Sequence, residues 1–277
     1  MIRVATVHWQ DERWIEPQLR FLRRHAGEHR VYAAVNGIDP ERGRDFHYAA
    51  DLEGTHPEKL NALAEIAREE ADPDDLLLFL DGDAFPIAPL DATRLGGAPL
   101  AAVRRDENIG DRQPHPCFCL TTVGLWFEIG GDWRRGHTWR TETGDDVTDV
   151  GGNLLGILDA AGIPWKPLLR TNRTNLDPLW FGVYDDLAYH HGAGFRAPLA
   201  RRNELPGREA VRSATAASVI PAGVPILGRA ERSARYRIAQ RRHQRAIDES
   251  VDAGRALSDE VFGWITTEDD FSRRFTT

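Results

Sequence analysis

The sequence predicts an α/β protein, with a mostly parallel central sheet flanked by helices and a helical C-terminal extension. Three observations predict it. Residues 1–90 alternate apolar or β-branched runs with segments of helical spacing, the pattern of parallel strands joined by right-handed crossovers. Leu76-Leu77-Leu78-Phe79-Leu80 is apolar without alternation, as in a strand buried on both faces, and Asp81-Gly82-Asp83 follows it at once. After Pro198 the sequence becomes polar and proline-spaced, and then arginine-rich and helical.

Ile2 to Val7 is a β-branched strand ending at His8-Trp9-Gln10-Asp11, and Glu16 to His25 has helical spacing through Leu19 and Leu22. Val31 to Val35 is a second strand, closed by the turn Asn36-Gly37, and Phe46 to Ala50 is a short third. His56-Pro57-Glu58-Lys59 opens a helix with apolar positions Leu60, Leu63, Ile66 and Ala67. The central strand Leu76 to Leu80 comes next. Leu100 to Val103 is another short strand, Arg104 to Gln113 a polar loop, and His115 to Phe127 extended structure. Gly130-Gly131-Asp132-Trp133 is a turn, and Arg134 to Gly144 a surface loop able to close over a ligand. Asn153 to Ala161 forms a helix, with Asp149 as its N-cap or in its first turn. Trp165 to Leu169 is a strand, and Leu187 to Gly194 ends in His190-His191 before glycines. Residues 1–198 form the sheet domain. Residues 199–277 form the helical extension, packed on that domain or on a second subunit.

The formal charge is −8, from 35 basic and 43 acidic residues, which excludes a protein whose main task is coating nucleic acid. Lysine occurs only at Lys59 and Lys166, so arginine abundance reflects composition more than function. The helix from Arg229 to Ala253 carries Arg235, Arg241, Arg242 and Arg245, either a solvated face or a peripheral contact for anionic lipid or an anionic acceptor. Phe262, Trp264, Ile265 and Phe271 pack this tail. Cys117 and Cys119 are too few for a structural zinc site and read as core thiols in a reducing compartment. The N-terminus enters a strand without a signal-peptide layout, and no apolar run reaches the roughly twenty residues a membrane span needs. The expectation is a cytoplasmic protein.

The chemistry gathers at strand ends. In open α/β sheets the ligand crevice lies outside the carboxyl ends of the strands, where acidic residues can meet a ligand. Asp81 and Asp83 are two apart, with Gly82 free to turn or to let a ligand approach, and such a pair suits a divalent cation that also holds a diphosphate. His190 or His191 offers an imidazole to the same ion. His8, Trp9, Asn36 and Asp39 form a lip for an aromatic base and a ribose, and Trp126, Trp133, Trp139 and Trp180 are stacking candidates for an acceptor or simply core.

In this order the features resemble the GT-A fold glycosyltransferases, with their Rossmann-like sheet, and family 2 in particular. The features are the nucleotide-facing first strand, His-Pro-Glu-Lys-Leu-Asn, Asp81-Gly82-Asp83, the segment ending Trp126 to Trp133, Asp149 before a helix, and His190-His191-Gly192. The resemblance covers residues 1–196. It implies a nucleoside-diphosphate sugar donor, a hydroxyl acceptor, and Mg²⁺ or Mn²⁺ bridging the phosphates. It further implies that Thr6, His8, Trp9, Asn36, Lys59, Asp81, Gly82 and Asp83 line the nucleotide sugar. On this resemblance Asp83 is the direct metal ligand, Asp81 holds the ribose or sugar, and His190 or His191 is the later ligand. Asp149 or Asp146 is the general base of an inverting transfer. Many relatives carry an acid where Asn36 stands, which leaves the nucleotide open. Two other readings share the crevice: a sugar nucleotidyltransferase, disfavoured because Thr6 to Arg13 contains no glycine, and a non-catalytic nucleotide or sugar binding module. Oligomeric state stays open, with a homo-oligomer among the options.

Overall fold

A computed structural model describes residues 1–107, 110–141, 144–174, 180–192, 211, 213 and 225–277. β1 (Ile2–Trp9), α1 (Ile15–His25), β2 (His29–Asn36), β3 (Tyr48–Ala50), α2 (His56–Arg68) and β4 (Leu76–Asp81) follow the alternation read from the sequence. Next come β5 (Ala84–Pro86), β6 (Ala101–Val103), β7 (His115–Thr122), α3 (Val123–Glu128) and the two-residue strands β8 (Trp139–Arg140) and β9 (Asp146–Val147). The unit continues with α4 (Gly152–Ala161), β10 (Lys166–Leu168), β11 (Gly182–Tyr184) and β12 (Ala188–His190). The helices α5 (Pro225–Thr267) and α6 (Arg273–Thr276) complete the described elements. Ala193, Gly194 and the passage containing Pro206 and Pro221 lie outside the described residues.

The main sheet has seven strands in the order β10-β6-β7-β4-β1-β2-β3. It is mostly parallel, with β7 running antiparallel to both β4 and β6. Because successive side chains on a strand face opposite sides, β1 and β4 serve two cores. Ile2 and Val4 of β1 and Leu78 and Leu80 of β4 meet Ile15, Leu19 and Leu22 of α1. Ala5, Val7, Leu77 and Phe79 meet Leu60 and Leu63 of α2, Trp126 of α3 and Leu154 and Leu158 of α4. A strand covered by helices on both sides has no polar face, which is why residues 76–80 show no alternation.

Two local readings are corrected. The segment expected to be extended through Phe127 stops at Thr122, whose hydroxyl accepts from the Leu125 N–H at 3.2 Å and caps α3. Asp149 is neither N-cap nor first-turn residue of α4; the N-cap is Gly151, at φ 91°. A Cβ there would stand 2.0 Å from the Pro114 carbonyl oxygen, so only glycine fits.

The described chain divides into two compact units, residues 1–195 with 265–277, and residues 196–264. In the first, Phe271 and Phe275 are buried beside Tyr189, and Phe271 also meets Phe21 and Phe85. In the second, α5 extends beyond both ends of the helix read from the sequence, and Arg241, Arg242 and Arg245 are exposed. No described helix is long and apolar enough to cross a membrane.

Candidate metal centre

Leu77, Phe79 and Asp81 lie on the face of β4 that meets α2, so the first carboxylate emerges beside the start of that helix. A capping box fixes this start, with the Thr55 N–H donating to the Glu58 carboxylate at 2.7 Å. His56, the first residue of α2, thereby places Nε2 3.1 Å from Asp81 Oδ1. Burial works against the Asp81 carboxylate, but His56, and then His190, hold its pKa below the usual value.

The second carboxylate is set by a separate three-stranded antiparallel sheet, β11-β12-β5. β5 leaves directly after Asp83, and its Ala84 is in register with His190 of β12. The His191 N–H donates to the Asp83 carbonyl and the Gly192 N–H to Asp83 Oδ2, both at 3.0 Å. His190 Nε2 then sits 3.4 Å from Asp83 Oδ1 and 3.5 Å from Asp81 Oδ2. One ligand atom from each of Asp81, Asp83 and His190 lies within 4.8 Å of the other two, a group able to hold a metal ion. Burial disfavours the His190 imidazolium, yet the Cys117 sulfur and the Asp83 carboxylate raise its pKa well above the ordinary histidine value.

The adjacent histidine goes elsewhere. His191 is fully buried, with its ring 4.4 Å from that of Trp14 and Nδ1 2.9 Å from the Tyr189 hydroxyl oxygen; burial pulls its pKa down to about 3. At the end of β1, Trp9 is exposed while Thr6 and His8 are enclosed on the α1 side. Asn36 accepts from Lys59 and donates to the Leu52 carbonyl at 2.9 Å and to the Asp51 carboxylate. Asp149 and Asp146 are not in the metal group. Asp149 pairs with Arg135 at 3.1 Å and Arg105 at 3.9 Å, and Asp146 lies exposed on β9. Burial raises the pKa of the Cys117 thiol, against which the nearby His190 and Arg105 act. Trp126, Trp133 and Trp139 are buried, and Trp180 is half-buried.

Sequence reasoning passed over His56, Cys117 and Arg105 as site residues. His56 had a signal, because a residue opening the helix before a central strand sits at the same sheet edge as that strand's end. Cys117 lies on β7 beside β12, a neighbourhood no local pattern encodes.

No family model matches the chain, and no curated protein matches it. Among solved structures it is similar to the apo form of the glycosyltransferase GlyE of Streptococcus pneumoniae TIGR4, at 21% identity and a TM-score of 0.33. The match covers 46% of this chain and 35% of that one, so it spans about a third of that protein's length.

Proposed function

We propose that the chain is a metal-dependent glycosyltransferase that moves a sugar from a nucleoside-diphosphate sugar to a hydroxyl acceptor, with inversion. The observation that carries this reading is the convergence of Asp81, Asp83 and His190 at the carboxyl end of the central strand of a mostly parallel sheet. The motif order of the GT-A enzymes supports it further. Two carboxylates and an imidazole suit Mg²⁺ or Mn²⁺, and the nitrogen donor suits Mn²⁺ better. When bound, such an ion neutralises charge on a diphosphate leaving group.

The chain's own residues divide the remaining work. Asp83 and His190 hold the ion, and Asp81, steadied by His56, shares it or meets the sugar nucleotide. Trp9 and Asn36 lie at the neighbouring strand ends, where a base and ribose would rest, and Lys59 of α2 donates to Asn36. Asp149 takes the acceptor proton, and for this the hydroxyl must share the carboxylate with Arg135 and Arg105. That pairing is also the observation favouring a second reading, a nucleotide-sugar binding module in which Asp149 only ties the loop to its arginines.

A thermal-shift screen of nucleoside diphosphates with and without Mn²⁺ tests the donor class. At least one nucleotide should raise the melting temperature only when Mn²⁺ is present; no shift with any of them would remove the proposal. Asp149→Asn separates enzyme from binding module. Loss of a general base should slow transfer by about 10² to 10⁴ with donor affinity retained, whereas unchanged turnover would discard Asp149 as the base.

A further inference from the structure

We propose that Gln18 is a positioning residue for the cation group, holding the Asp81-Gly82-Asp83 turn from beneath. The inference rests on the metal reading above for its purpose, but its geometry is independent of that reading. Gln18 lies on α1 and is wholly buried, at a position where a helix facing a sheet ordinarily carries an apolar side chain. Its Nε2 is 2.8 Å from the Ala84 carbonyl oxygen, 2.9 Å from that of Asp81 and 3.4 Å from that of Gly82. Carbonyl oxygens only accept, so the nitrogen of the amide must face the turn. This leaves Oε1 facing His8 Nε2 at 3.1 Å, and an amide oxygen also only accepts. His8 must therefore carry its proton on Nε2, and its Nδ1 is bare.

The rest of the floor agrees with that tautomer. His8 Nδ1 is buried and has no hydrogen-bond partner among the described residues, and it lies 2.9 Å from where a Cβ on Gly82 would stand, with the Val7 carbonyl oxygen at 2.6 Å. Gly82 is thus seated directly on the end of β1. Three carbonyls of the turn converge on one amide, and that amide is locked in turn by His8. From the other side the turn is held by the backbone just after β12, through His191 and Gly192. The two carboxylates that flank Gly82 are in this way fixed from two independent elements. Leu19 and Leu22 already anchor α1 in the core, so the buried amide adds polar grip on the turn in a place where packing alone would need none.

Amide hydrogen exchange on metal-free protein tests the clamp, because the His191 and Gly192 N–H groups are bonded to Asp83 itself. Gln18→Leu should lower protection at these two amides by about tenfold, the change expected for one lost hydrogen bond, with the strands of the main sheet unaffected. Gln18→Glu, which keeps the acceptor for His8 and sets an oxygen against three carbonyls, should lower it more. Leu22→Ala, one turn further along the same buried face, controls for a loosened helix and should lower these two amides no more than the amides of the main sheet, so that the comparison is made relative to the sheet. Unchanged protection in both Gln18 variants, or an equal loss relative to the main sheet in Leu22→Ala, would overturn the proposal. A parallel Mn²⁺ titration followed by electron paramagnetic resonance should show weaker binding in Gln18→Leu than in the wild type. Wild-type protein that binds no Mn²⁺ would overturn the cation reading of the site, a failure distinct from unchanged exchange.

Discussion

His8 and His191 are both enclosed, and burial holds their imidazoles down at about 4 and about 3. The charges that face them decide little of this: Asp83 pulls both upward, against Arg42 for His8 and against Arg13 and His190 for His191. An unfolded histidine titrates near 6.5, so as pH falls below that value the unfolded chain takes up protons that these two sites refuse. Native stability is therefore lost on acidification, by on the order of 3 kcal/mol per site by about pH 4. His190 has the opposite sign, since its raised pKa contributes stability at low pH that is lost as pH rises through the folded value. Two lowered sites against one raised site leave a net decline. The urea midpoint should fall between pH 7 and pH 5, and NMR should show two imidazoles still neutral at pH 5. A midpoint that is flat or rises over that range would contradict the burial of these rings.

At the scale of elements, the metal group depends on a small sheet that carries few local signals. The alternation of β1, α1, β2, α2 and β4 was legible because each element is long enough to show its period, and the two acids at the end of β4 were legible because they interrupt an apolar run. β5, β11 and β12 have three residues each, too few to display alternation, and Gly192 reaches Asp83 across a separation of 109 residues. The histidine pair was visible as an oddity, but which imidazole meets the acids depends on register, since neighbours on a strand face opposite sides. Aromatic packing from two other places supports this sheet: Phe21 of α1 stacks on Phe85 of β5 at 4.5 Å, and Phe271 of the tail meets Tyr189 of β12 edge-on at 4.8 Å. Phe271→Ala should cost about 3 to 5 kcal/mol, as for other fully buried phenylalanines, which chemical denaturation would measure. A loss of under about 1 kcal/mol would show that the tail is not part of this core.

At the scale of the molecule, strand order and helix placement bring functional groups together that the chain keeps apart. The carboxyl ends of β1, β2 and β4 gather Trp9, Asn36 and the Asp81-Gly82-Asp83 turn at one edge, and α2 adds His56 and Lys59. The candidate base Asp149 stands with Arg105 and Arg135, away from the Asp81, Asp83 and His190 group. These arginine partners were hidden in a composition where nearly every basic residue is arginine. Asp81, Asp83 and His190 are proposed to form one cation site. Calorimetric titration with Mn²⁺, on wild type and Asp83→Ala side by side, tests it most directly. One ion per chain should bind the wild type, and the variant, still folded, should lose that binding; equal affinity in the two proteins would contradict the site.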